Sequence, residues 1–240
     1  MKLYLFENAI VKPTGEPMPG YLIKTDDNKN ILIDTGVTPH DAELLNKATG
    51  INFEIGESRL PLNILKNMDI SPNEIVAVIN THFHFDHCGY NRSFPNATFY
   101  VQKSHYEYVK KSNDRMFGFS ERHWDDPSID YQLVDGDKEI LPGIHVIKTD
   151  GHEVGIQSIM LNLKNTGNVL IASDAISDSR MLTDDNNPSQ YSAVNRDPEL
   201  VKKGVKKLKN IIKDNDIKLI IYSHDAITWP TYKKMPEFYD

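Results

Sequence analysis

The chain has 240 residues, 39% of them apolar, enough for one sizeable core. Its 34 acidic residues outnumber 27 basic ones, for a formal charge of −7, which disfavours a phosphate-backbone footprint and argues against nucleic acid as a partner. No run approaches the roughly 18 apolar residues that a membrane helix requires, and a lone cysteine, Cys88, excludes an intrachain disulfide and fits a reducing cytoplasm.

Short apolar runs alternate with helical patterns, which predicts an α/β fold. Residues 1–6 are briefly apolar but reach Glu7 too soon for a signal peptide, and read as a first strand. Strands are then expected at 21–24 and 31–34, and helices at 41–47 and 60–68. Strands follow at 75–80 and 98–101, and a helix at 104–111. Segment 112–127 is the least regular, with Met116, Phe117, Phe119 and Trp124 among charged residues. A lid over a pocket and a surface loop with its aromatics packed on the core fit it equally. Further strands are expected at 145–148, 158–163, 169–173 and 217–223. A helix at 199–213 is the best marked. Asp197 can cap it, Pro198 suits its first turn, and Leu200, Val201, Val205, Leu208, Ile211 and Ile212 form one face. No polar linker divides the chain, so residues 1–240 are expected to form one domain.

Residues 81–87 read Thr-His-Phe-His-Phe-Asp-His and follow the apolar run 75–79 directly. His82, His84, Asp86 and His87 thus offer three imidazoles and a carboxylate from one loop, a donor set suited to zinc, iron, nickel or cobalt. His152, Asp174 and His224 each lie at or just past the end of an expected strand, where α/β proteins gather their site residues. A lone His or Asp at such a place is usually structural; the repetition beside a dense His/Asp loop favours ligands. One four-coordinate ion needs three or four ligands. Five histidines and two aspartates are better explained by two ions sharing a carboxylate, a geometry that can hold a bridging hydroxide for hydrolysis. Cys88 reads as a small buried residue rather than an eighth ligand.

The set His82, His84, Asp86, His87, His152, Asp174 and His224 resembles the metal motif of the metallo-β-lactamase superfamily, His-x-His-x-Asp-His followed by separate His, Asp and His. The run Ile31-Leu32-Ile33-Asp34-Thr35-Gly36 resembles the superfamily's strand ending in Asp-x-Gly. Asp150-Gly151-His152, Asp197-Pro198-Glu199-Leu200 and Ser223-His224-Asp225 are most similar to the N-acyl-homoserine lactonase branch. The resemblance implies a four-layer αβ/βα sandwich. It implies that His82, His84 and His152 hold one divalent ion, that Asp86, His87 and His224 hold the other, and that Asp174 bridges them. Zinc is the first choice, with iron, manganese or cobalt as alternatives. Asp34 is implied as a support of the metal loop, and Asp86 as the catalytic acid in opening the ester ring of N-acyl-homoserine lactones or a related lactone; a monomer or homodimer is expected. A thioesterase of the glyoxalase II type, a phosphodiesterase and a mononuclear iron enzyme are the competing readings.

Candidate substrate contacts are Phe83, Phe85, Phe117, Phe119 and Ser177, although packing under the metal loop is the simpler role for Phe83 and Phe85. Two positions depart from the pattern. Ser177 stands where lactonases of this branch commonly carry a Tyr that meets the substrate carbonyl, with Tyr191 and Tyr222 as candidate substitutes. Ile156 stands where many relatives carry His.

Overall fold

A computed structural model describes every residue except Ala193. In chain order the strands are β1 (Lys2–Lys12), β2 (Pro17–Lys24), β3 (Asn30–Ile33), β4 (Asn52–Glu54), β5 (Ile75–Ile79), β6 (Thr98–Gln102), β7 (Asp130–Val134), β8 (Lys138–Leu141), β9 (Ile144–Lys148), β10 (Gln157–Leu163), β11 (Gly167–Ser173) and β12 (Ile217–Tyr222). The helices are α1 (Pro39–Thr49), α2 (Pro61–Asn67), α3 (Phe85–Cys88), α4 (Lys103–Val109), α5 (Arg115–Trp124) and α6 (Pro198–Asp214). Seven strands form one sheet in the order β4-β1-β2-β3-β5-β6-β7, and five form a second in the order β12-β11-β10-β9-β8. β3, β5, β6 and β7 run parallel, as do β11 and β12; the other pairings are antiparallel.

Period-two alternation sorts the first sheet into two faces. Leu3, Leu5, Tyr21, Ile23, Ile31, Ile33 and Ile79 pack against Ile144, Val146, Ile159, Leu161 and Ile171 of the second sheet. The intervening Tyr4, Phe6, Leu22, Leu32 and Val78 face outward and are covered by Ile64 and Leu65 of α2. On the far side Val201, Val205 and Leu208 of α6 join the second sheet's cluster. The result is helix on sheet on sheet on helix, the four-layer α/β sandwich that the sequence resemblance implied. Among the described residues no helix is long and apolar enough to cross a membrane.

The best-marked helix is capped as its sequence suggests. Asp197 accepts from the amides of Glu199 (2.9 Å) and Leu200 (3.0 Å), and Pro198 occupies the first turn. The expected strands form, and the first one extends to Lys12. Three strands were not expected: β4, β7 and β8, all at sheet edges and largely exposed, so they carry no apolar run to reveal them. Segment 112–127 is also more regular than its sequence suggests. Asp114 caps α5 by accepting from the Met116 amide at 2.8 Å, and Phe117, Ser120 and Trp124 turn inward at helical spacing. The exposed Gly118 and the charged residues between these positions hide that period.

Candidate metal centre

The metal loop is built at the parallel junction of β3 and β5, where Ile33 pairs with Ile79. Asp34 ends β3 in a left-handed conformation (φ 56°), which aims its buried carboxylate across the junction. It accepts from the Thr81 amide (2.8 Å), the Thr81 hydroxyl (2.8 Å) and His87 Nδ1 (2.7 Å). A proton held on Nδ1 by Asp34 turns His87 Nε2 into the site, where a cation would replace its proton. The Gly89 amide donates to Gly36 O at 2.8 Å, and a Cβ at Gly89 would lie only 2.5 Å from that oxygen, so glycine lets the two loops meet.

Seven side chains converge in two groups. His82 Nε2 lies 2.9 Å from His84 Nδ1, His152 Nε2 lies 3.2 Å from the same atom, and Asp174 Oδ2 approaches His152 Nε2 at 3.3 Å. Beside them His87 Nε2 lies 3.3 Å from Asp86 Oδ2 and 3.5 Å from Asp174 Oδ1, and His224 Nε2 lies 3.2 Å from that same oxygen. Within each of the groups His82, His84, His152, Asp174 and Asp86, His87, His224, the donor atoms lie within 4.8 Å of one another. Asp174 follows Ser173, the last residue of β11, whose positive φ (52°) turns the chain so that this carboxylate faces both groups. His224 is oriented by Nδ1 donating to Pro17 O at 2.8 Å.

The donor chemistry fits divalent cations. His87 Nε2 and Asp174 Oδ1 are buried without a hydrogen-bond partner among the described residues, a costly state that a cation relieves. Burial depresses His82 and takes His152 to about 4, so both imidazoles are neutral donors at neutral pH. Burial also disfavours charge on His87 and His224, but the surrounding carboxylates win. Asp86, Asp174 and Asp34 raise His87 well above its ordinary value, and Asp174 and Asp86 take His224 to about 9. Protons thus balance the carboxylates where a metal would displace them.

The superfamily model for metallo-β-lactamases matches residues 19–224. The chain belongs to the metallo-β-lactamase superfamily. The N-acyl homoserine lactonase of Bacillus thuringiensis is 30% identical over 230 residues, spanning 92% of this chain and 86% of that protein. The structure of a quorum-quenching N-acyl homoserine lactone hydrolase superposes with a TM-score of 0.83 at 26% identity, covering 99% of this chain and 97% of that one. Another, with the product N-hexanoyl-L-homoserine bound at its catalytic metal centre, also gives 0.83 at 26% identity, with 99% and 98% covered.

The other residues singled out in the sequence lie around the candidate ligands. Phe83 is fully buried and stacks on Trp124 (5.3 Å between centroids), which makes it a packing residue and removes it from the substrate contacts. Phe117 is equally buried, 5.5 Å from the His84 ring. Phe85 and the half-buried Phe119 join Phe53 and Met116 in an apolar cluster beside the metal loop. Ser177 turns its hydroxyl to Met181 Sδ (3.6 Å), and its carbonyl accepts from the His224 amide (3.0 Å). The Tyr191 hydroxyl is engaged by Asp184 at 3.3 Å, and Tyr222 is buried at the end of β12. Ile156 is core. Cys88 directs its thiol to the carbonyls of Phe83 and His84, away from the ligand atoms, and burial pushes its pKa up.

Three supporting residues had no sequence signal. His105, fully buried, accepts from the Phe83 amide at 2.9 Å through Nε2 and donates to Val154 O at 2.7 Å through Nδ1, bracing the metal loop against the turn that carries His152. Glu153 accepts from His84 Nε2 at 2.8 Å, and Arg196 donates to its other oxygen.

Proposed function

We propose that this protein is a dinuclear metal-dependent lactonase that opens the ester ring of N-acyl-homoserine lactones or a closely related lactone. The observation that carries this reading is Asp174, which presents a carboxylate to two converging donor groups at once. When bound, two divalent ions, with zinc as the first choice, supply an activated water at neutral pH and polarise the ester carbonyl. His82, His84 and His152 would hold one ion and Asp86, His87 and His224 the other, with Asp174 able to serve either group. Asp34 fixes the tautomer of His87. The Asp86 carboxylate would take up the proton of the attacking water and return it to the ring oxygen as that oxygen leaves. The cluster of Phe53, Phe85, Met116 and Phe119 gives an acyl chain an apolar surface, with α5 as the lid of segment 112–127. Residues 1–240 act as one catalytic domain, and the unpaired buried Cys88 suits a reducing cytoplasm.

The test is a hydrolysis panel of short- and long-chain acyl-homoserine lactones, a thioester and a phosphodiester, run with and without chelator. Lactone opening that chelator abolishes and zinc restores is the expected result. Protein carrying two metals per chain that opens no lactone would overturn the reading, and turnover of another ester in the panel would name its replacement.

A further inference from the structure

Glu153 stands out among the groups around the ligands. It follows the ligand His152 directly, is 1% exposed, and turns back to accept from Nε2 of a different ligand, His84, at 2.8 Å. That contact fixes the proton on Nε2 and leaves Nδ1 to face His82 Nε2 and His152 Nε2. Its second oxygen is held by Arg196 Nε. The same guanidinium donates from its NH1 nitrogen to Asp114 Oδ2 at 2.7 Å and lies 5.2 Å over the Phe117 ring. Asp114 caps α5 with its other oxygen, on Met116 N at 2.8 Å, and Phe117 lies against His84. Four side chains from three distant segments therefore close a ring around one imidazole.

We propose that Glu153 is a positioning residue for His84, and that Arg196 links it to the N-terminus of α5 so that metal affinity at the His82, His84, His152 group depends on the docking of that helix. The inference rests on the two-metal reading of the site. A carboxylate on the remote nitrogen of a ligating imidazole fixes its orientation and raises its basicity, and losing such a partner typically costs about 10–100-fold in metal affinity. Arg196 holds that carboxylate ionised and in place while also pairing with the cap of α5. The aromatic faces of Phe117 and Tyr108, 5.2 and 5.7 Å from the guanidinium carbon, restrict its position. The coupling runs through contacts that the chain makes without any bound group.

The experiment is competition titration of metal-stripped protein with zinc and a chromophoric chelator, which resolves two binding steps. Glu153→Gln keeps the shape and removes the charge; it should weaken one step about tenfold or more and leave the other unchanged. Asp34→Asn, which acts on His87, should weaken the other step and so identifies the two. Asp114→Asn preserves the helix cap, since Asn caps as well as Asp, and removes only the charged pair with Arg196. It should weaken the same step as Glu153→Gln by a smaller factor. Glu153→Gln binding that is unchanged, or weakened equally at both steps, overturns the positioning role. An unchanged Asp114→Asn titration overturns the link to α5. A failure of the lactonase reading would show in the hydrolysis panel and leave these titrations as they stand.

Discussion

His105 offers the sharpest quantitative test, because its burial and the Phe83 amide on Nε2 favour the neutral imidazole while only the Val154 carbonyl on Nδ1 opposes them. Replacing it in His105→Leu leaves the Phe83 amide and the Val154 carbonyl without their partner. A buried unpaired group costs about 1–3 kcal/mol, so the two together should cost roughly 2–6 kcal/mol at pH 7. Burial lowers the pKa of His105 from 6.5 to about 4, with the Val154 carbonyl opposing it. The unfolded chain therefore binds the proton more tightly than the folded one. The stability tied to neutral His105 is fully present above the unfolded value and is lost as the pH falls toward the folded value. Between pH 7 and pH 5 the native protein should lose about 2 kcal/mol that His105→Leu has no means to lose. Urea unfolding of both chains at the two pH values, each stripped of metal so that ligand linkage is constant, measures this directly. The stability gap between them should narrow by about 2 kcal/mol on acidification. A gap that stays constant or widens at pH 5 would refute a neutral, doubly bonded His105.

Other consequences can be checked more briefly. Gly89→Ala places a methyl 2.5 Å from Gly36 O and should lower stability by about 1–3 kcal/mol in thermal unfolding, by forcing the loop at 34–36 away from the metal loop. Removing metal should also destabilise the fold: free zinc at 100 times its dissociation constant adds about 2.7 kcal/mol, read as a drop in Tm on chelation. Ser177→Ala should change kcat/KM for a lactone by less than about threefold, roughly 0.6 kcal/mol, because the hydroxyl faces Met181 rather than the ligands. A larger loss would place Ser177 on the substrate.

The candidate ligands were legible in the sequence because each is a residue type with its own chemistry at the end of an apolar run. His82 through His87 needed no partner to be noticed, and β5, β10, β11 and β12 announced themselves by short apolar runs. Asp34 was weaker: a turn of Asp-Thr-Gly is ordinary, and resemblance to a family gave it a role that its three hydrogen bonds to Thr81 and His87 now account for. The short edge strands β4, β7 and β8 were missed because half-exposed segments carry no period strong enough to see. The braces of the site were hidden for a different reason. His105 joins residues 22 and 49 positions away, Glu153 reaches back 69 positions to His84, and Arg196 reaches 82 to Asp114. Glu153 marks the limit most clearly. Between His152 and Val154 it reads as a surface carboxylate, the commonest fate of a glutamate. Only the return of the chain just before α6 delivers Arg196 beside it, through the Arg196 amide donating to Gly151 O at 2.9 Å. Burying a lone carboxylate would be unfavourable; burying one held between an imidazole and a guanidinium is sustainable. The identity of that residue is therefore set by how the segment leading into α6 docks on the turn carrying His152, a three-dimensional fact with no local spelling.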